Sequence, residues 1–265
     1  MRAVGVHADV IVVTSRIWQT TCTLVRGGAE AFVIDSPLLP DELELLPAVA
    51  EQAGFAVAGL LVTHADWDHL LGRLAFPEAS IGCGETTAAR LAAEPGAAAR
   101  RLRAFDEEHY VERPAPLSLP GAQALPVPGY CAVGELELEL HPADGHTADG
   151  TAFWVPWARV LVCGDYLSPV EIPTISEGGS LDAYRATLAR LEPLVARADT
   201  VVPGHGAPLE ATRAAAILRE DLAYLEALAR DGADAPLPLA RRTGAQREVH
   251  ARNAALIDAA RARKS

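Results

Sequence analysis

Short apolar runs, broken by glycine and polar turns, fill the first part of the chain. "DVIVVT" (residues 9–14), "TCTLVR" (21–26) and "EAFVID" (30–35) each read as a β-strand, with Gly27 and Gly28 turning the chain between the last two. "PDELELLPAVAEQAG" (40–54) predicts a helix: Pro40 opens it, acids fill its first turn and Gly54 closes it, while Pro47 leaves its course open. "VAGLLVT" (57–63) predicts a buried strand and "ASIGC" (79–83) another. Residues 85–120 change character: they are Ala- and Arg-rich, and Pro114, Pro116 and Pro120 break the end of the segment. Helical pieces and an irregular connection are expected there, forming a cover over a site.

Strands resume in the second half. In "ELELELH" (135–141) strict alternation turns Leu136, Leu138 and Leu140 to a core and the glutamates to water. "TAFWVP" (151–156) and "RVLVCG" (159–164) continue the pattern. "SLDAYRATLARLEPLVARA" (180–198) predicts an amphipathic helix with Ser180 as N-cap and Leu181, Tyr184, Leu188 and Leu191 as its apolar stripe. "DTVVPG" (199–204) is a short strand, and from Ala207 the tail reads as two helices split by "DGADAPLPL" (231–239). With no internal repeat and no low-complexity linker, the mixture predicts an α/β or α+β sandwich. Its expected organisation is one domain over 1–206, with 207–265 as a C-terminal helical extension packed on it.

Composition narrows the function. The 265 residues, 50% hydrophobic, suffice for one large core. With 23 basic against 35 acidic residues the net charge is -12, which argues against nucleic acid as a partner. Cys22, Cys83, Cys131 and Cys163 form no C-x-x-C pair and lie in or beside apolar stretches, so buried free thiols are expected. No run approaches the ~18 apolar residues of a membrane span. The N-terminus lacks an apolar segment with a cleavage site, so a cytoplasmic location is expected.

Four apolar strands end in groups that bind metals. "LLVT" runs into His64, Asp66, Asp68 and His69; "LELELHPADG" leads to His146; "VLVCG" leads to Asp165; "TVVPG" leads to His205. Loops at strand ends converge on one sheet edge and carry chemistry there. Singly, each is weak: a loop His is commonly a surface residue, and Gly-Asp is ordinary turn chemistry. "HADWDH" is not weak. A solvated helix N-terminus accounts for its aspartates as a cap and first-turn acids, but not for its two histidines. Four such groups packed together without a cation would leave like charges unpaired. A metal centre is therefore expected.

"HADWDH", "GHTADG", "CGD" and "PGHG", in that order, resemble the metallo-β-lactamase fold superfamily. Its members carry H-x-H-x-D-H, a His in a G-H-T-x-G-like loop, an Asp after a strand and a late His in a P-G-H-G-like loop. The resemblance implies a four-layer αββα sandwich with the site at one edge of its two sheets. It also implies the ligand sets: His64, His146 and position 66 for one metal, Asp68, His69 and His205 for the second, and Asp165 bridging. Asp66 departs from the pattern, replacing the usual His. It is shorter and anionic, so it makes the centre more neutral and moves preference from Zn towards Fe or Mn. An acidic residue there resembles the flavodiiron branch, which carries an appended flavin domain not seen here.

The expected activity is a metal-dependent hydrolase acting on an ester, thioester, lactone or phosphoester. A hydroxide held by two divalent ions, most simply zinc, would attack, with Asp68 as ligand and proton acceptor. Asp rather than Cys at 165 makes the hydroxyacylglutathione hydrolase and lactonase branches the nearest. The alternative is an iron-dependent oxidoreductase using the same ligands; a third reading is a metal-stabilised binding protein. The expected partner is a small-molecule substrate, with no membrane contact. The last helix closes the domain or pairs with a second copy as a homodimer. Trp67 and Trp18 are candidate pocket walls, packing being favoured for Trp18. Tyr166 is either an oxyanion donor or a packing residue.

Overall fold

The computed structural model describes residues 1–119 and 121–262. Pro120, one of the prolines expected to break the cover segment, lies outside them. The first sheet pairs β1 (Arg2–His7), β2 (Val10–Thr14), β3 (Thr21–Gly27), β4 (Glu30–Asp35), β5 (Val57–Val62), β6 (Ser80–Gly84) and β7 (Gln123–Leu125) in chain order. The first four form an antiparallel meander, and β4 to β7 run parallel. The second sheet pairs β8 (Gly129–Val133), β9 (Leu136–Pro142), β10 (Thr151–Val155), β11 (Val160–Val162), β12 (Thr200–Val202) and β13 (Leu209–Glu210), also in chain order. Only β11 and β12 are parallel there. The helices are α1 (Pro40–Gln52), α2 (Gly72–Ala75), α3 (Glu85–Ala93), α4 (Ala97–His109), α5 (Leu181–Arg197), α6 (Ala211–Asp231) and α7 (Gly244–Ala262).

Side-chain alternation in the strands builds three apolar layers. Along β4, Phe32 and Ile34 face the other sheet, while Ala31 and Val33 face α1. Val10, Val12, Leu61, Leu138, Leu140, Phe153 and Val162 fill the space between the sheets. Leu43 and Leu46 of α1 and Leu102 of α4 cover the outer face of the first sheet. Tyr184 and Leu188 of α5, Ile217 and Leu225 of α6 and Val249 of α7 cover the outer face of the second. Each such buried Leu, Ile or Val contributes roughly 1.5–3 kcal/mol. The order helix, sheet, sheet, helix is the expected αββα sandwich. No helix among the described residues is long and apolar enough to cross a membrane.

Local expectations hold with exceptions. Pro40 opens α1, which runs through Pro47 to Gln52. Ser180 caps α5, its hydroxyl accepting from the Ala183 amide at 3.2 Å. Residues 85–109 fold as α3 and α4, as the composition suggested. Leu136 is a correction: at the hairpin end of β9, outside the stretch that pairs with β10, it is 37% exposed, whereas Leu138 and Leu140 further along are buried. Cys131 is another, since it sits half-buried on that edge strand while the other three thiols are buried; all four are free.

Candidate metal centre

Five strands deliver chemistry to one edge of the sandwich. Asp35 ends β4, His64 to His69 follow β5, His146 lies in the loop between β9 and β10, Asp165 follows β11 and His205 follows β12. The second-sheet loops are tied to the first sheet: the Thr21 amide donates to the Gly204 carbonyl at 2.8 Å, and Thr21 Oγ1 donates to the Pro203 carbonyl at 2.6 Å. Gly204 is required by space, since a Cβ there would lie 2.0 Å from Asp165 Oδ1.

All seven residues singled out from the sequence converge. His64, Asp66 and His146 can place one donor atom each within 4.8 Å of one another, and so can Asp68, His69 and His205. Asp165 stands between the two groups. Its Oδ2 lies 3.3 Å from His146 Nε2 and 3.7 Å from His64 Nε2. Its Oδ1 lies 3.2 Å from His69 Nε2 and 3.5 Å from His205 Nε2. Asp66 Oδ2 is 3.4 Å from His146 Nε2, and Asp68 Oδ2 is 3.4 Å from His205 Nε2.

The outer hydrogen bonds fix the ring tautomers. Thr63 Oγ1 gives its proton to Asp35 Oδ2 at 2.8 Å, so it accepts from His64 Nδ1 at 3.0 Å. His69 Nδ1 donates to Asp35 at 2.9 Å, His146 Nδ1 to the Thr174 carbonyl at 2.7 Å and His205 Nδ1 to the Trp18 carbonyl at 3.0 Å. In the neutral rings that bind metals, every Nε2 is thus left with its lone pair facing inwards. Nε2 of His64, His69 and His146, together with Asp165 Oδ1, are buried without a hydrogen-bond partner. Buried polar atoms are rarely left so, and a pair of cations would satisfy all four. The donor set therefore fits two divalent ions. Three supporting residues, Trp18, Gln19 and Asp35, hold left-handed backbone conformations, a strain that the surrounding structure maintains.

Charge coupling within the cluster is strong. Burial disfavours the charged imidazole, yet the Asp165 and Asp66 carboxylates push His146 up to about 9. Burial likewise opposes, and Asp68 and Asp165 outweigh, the protonation of His69, which lies well above its usual value. His205 is raised in the same sense by Asp165 and Glu171. His64 is lowered, by burial and by the His69 charge beside it. Against burial, the His146 and His64 rings and the Arg90 guanidinium hold Asp66 far below the carboxylate range.

Asp66 precedes a single 3₁₀ turn, Trp67–His69, yet its carboxylate makes no capping hydrogen bond. The cap explanation of "HADWDH" fails there. Tyr166 does not aim at the centre. Its hydroxyl accepts from the His146 amide at 3.0 Å and donates to the Asp144 carbonyl at 2.7 Å, so it is a loop brace. Trp67 packs with Trp18 and Phe105, at ring separations of 5.0–5.5 Å. Through Phe105, α4 flanks the ligand loop as the cover segment was expected to.

Sequence reasoning missed Asp35, Thr63, Asp149 and Arg90. Asp35 closes "EAFVID" as Asp165 closes "VLVCGD", a signal that was present. Asp149 lies inside "GHTADG" and accepts from the Ala65 amide at 2.8 Å. Arg90 had no signal, being one arginine of many in its segment. It joins Asp66 and Asp149 from α3.

A sandwich with this donor cluster at its edge defines a class of metal-dependent protein. The family model described as the metallo-beta-lactamase superfamily matches residues 16–205, which span all seven donors, and the chain belongs to that superfamily. Members are typically metal-dependent hydrolases. No curated protein matches the chain. Among solved structures, the metallo-beta-lactamase family protein TTHA1429 from Thermus thermophilus has a TM-score of 0.68 at 20% identity, covering 98% of this chain and 95% of that one. DIM-1 metallo-beta-lactamase exposed to ceftazidime has a TM-score of 0.59 at 19% identity, covering 82% and 96%. A metallo-beta-lactamase from Pontibacter korlensis has a TM-score of 0.58 at 19% identity, covering 82% and 98%. These likenesses establish the fold.

Proposed function

We propose that the chain is a binuclear metal-dependent hydrolase of a small ester, thioester, lactone or phosphoester. One observation carries the reading: the two oxygens of Asp165 divide between two buried donor groups, each with its Nε2 atoms turned inwards. His64, Asp66 and His146 would hold one ion, Asp68, His69 and His205 the other, and Asp165 both. Divalent ions bound there, most simply zinc, would supply Lewis acidity and a water activated near neutral pH. Asp68 would serve both as a ligand and as the proton acceptor. Asp165, where a Cys would bring a soft ligand, favours the hydroxyacylglutathione hydrolase and lactonase branches. A cleft of about 880 Å³ opens beside Asp66, between Arg101 on one wall and Leu256 of α7 on the other, room for a small molecule.

Elemental analysis of protein made without added metal, followed by thioester, lactone and phosphodiester panels, tests this. Two zinc ions per chain and turnover of one class are expected. Absence of metal, or two zinc ions without any hydrolysis, sinks the proposal. The carboxylate of Asp66 facing His64 and His146 also suits iron. Iron that changes with oxygen would make the oxidoreductase the better assignment.

A further inference from the structure

Arg90 stands on α3 with its side chain 15% exposed. Nη2 donates to Asp66 Oδ1 at 2.7 Å, and Nη1 donates to Asp149 Oδ1 at 2.8 Å. Asp149 is itself anchored, its Oδ2 accepting from the Ala65 amide at 2.8 Å. The guanidinium is thereby pinned beside the ligand loop. It engages the outer oxygen of Asp66, while the inner Oδ2 faces His146 Nε2 at 3.4 Å and His64 Nε2 at 3.7 Å. Arg101 of α4 reaches the same outer oxygen only at 3.9 Å and is 44% exposed. Among the described residues, Asp68 and Asp165 have imidazoles but no arginine as ion-pair partners. The carboxylate that departs from the family motif is therefore the one matched with a cation.

We propose that Asp66 and Arg90 act as one neutral ligand unit, electrically equivalent to the imidazole that usually occupies position 66. The proposal rests on the metal-centre reading but on no substrate. Three carboxylates reduce the charge of two divalent ions to a single positive charge, and Arg90 restores the second; Asp149, the other partner of the guanidinium, is a constant charge outside this exchange. A His at 66 with no cation at 90 would leave the same total. Arg90 also occupies Oδ1, so Asp66 offers one oxygen inwards, as an imidazole offers one nitrogen. Arg90 is thus a positioning residue acting through Asp66. A cation this close to a partly desolvated site is weakly screened, so its charge reaches whatever anion approaches the ions.

The test uses the cobalt(II)-loaded full chain and azide as the probe, read by visible absorption and cobalt content. Arg90→Gln is expected to weaken azide about tenfold. Arg90→Lys keeps the charge but not the fork that spans Asp66 and Asp149, and falls between wild type and Arg90→Gln. The Asp66→His/Arg90→Gln double variant returns to wild-type affinity. A fall from two cobalt ions to one in Arg90→Gln, repaired by Asp66→His, supports the unit equally. Asp66→His alone leaves Arg90 with Asp149 as its close partner, raises the charge at the ions by one and tightens azide about tenfold, a second arm if Arg90→Gln does not fold. An Arg90→Gln protein with unchanged azide affinity and cobalt content overturns the proposal. So does equal weakening with His at 66, which would make Arg90 a direct anion contact. A wild-type chain that takes up no cobalt removes the centre and the pair together. Cobalt uptake with the predicted azide pattern but no hydrolysis sinks the hydrolase alone.

Discussion

His69 and His205 sit deep, their side chains 0% and 6% exposed, whereas Asp66 in the other half of the cluster is 19% exposed and borders a cleft. The deep half is set by groups with nowhere else to go: Asp35, buried at a strand end, holds His69, and the Trp18 carbonyl holds His205. In the open half His64 and His146 are equally buried and are held by the Thr63 hydroxyl and the Thr174 carbonyl, but Asp66 is held by a side chain that reaches in from a neighbouring helix, Arg90. Backbone and buried carboxylates fix geometry rigidly, while a helix-borne arginine can be exchanged without disturbing a core. The difference suggests a division of labour: the deep half holds its shape, and the open half is where charge and substrate preference can vary.

Asp165 is the one residue common to both halves, so its loss tests whether they are a single centre. Asp165→Asn keeps the shape that fits against Gly204 but removes the shared charge. Zinc per chain is expected to fall from two to below one, with activity lost. A variant that still holds two ions would show that the halves are independent. Within the deep half, Asp35→Asn leaves a side chain that tolerates the left-handed backbone at φ 58. It weakens the hold on both Thr63 and His69. Zinc affinity at the deep position should fall about 10–100-fold, measured by chelator competition, with a smaller loss at the open position, where Asp35 reaches His64 only through Thr63. Equal losses at both positions would erase the distinction.

The sequence was legible where structure is paired on both sides. β3, β4, β5 and β10 are flanked by neighbours and packed on both faces, and their apolar runs announce them. β1, β7, β8 and β13 went unread, and they are the four sheet edges. An edge strand pairs on one side and is partly exposed, so its apolar pattern is thin: β1 is "RAVGVH" and β13 two residues. The same logic covers the site. The seven donors stood out because buried His and Asp at strand ends demand a counter-charge. Arg90 did not, because its partner is 24 residues away in sequence and joined only by folding.

Protons separate the halves in the metal-free chain. Carboxylates raise His69 and His205 in the deep half but only His146 in the open half, where His64 is lowered instead. A His raised by folding stabilises the fold fully below its unfolded value of about 6.5. That stability is lost as pH climbs through the folded value, which for His146 is about 9. The three ligand aspartates, all held low, stay ionised throughout and add no slope, while Asp221, raised to about 7 by burial, adds the same small loss near pH 7 with or without metal. Metal-free protein should therefore lose stability from pH 6.5 to 8.5, by about 2 kcal/mol for a single such ring, or about 5 °C in Tm. Zinc-loaded protein should keep only the small Asp221 contribution over the same range, since ions replace the protons of the centre. His205→Gln, which removes one of the two deep rings, should flatten the metal-free slope more than His64→Gln, which removes the lowered ring of the open half. Equal slopes in the two variants would mean that the charge asymmetry between the halves does not exist in solution.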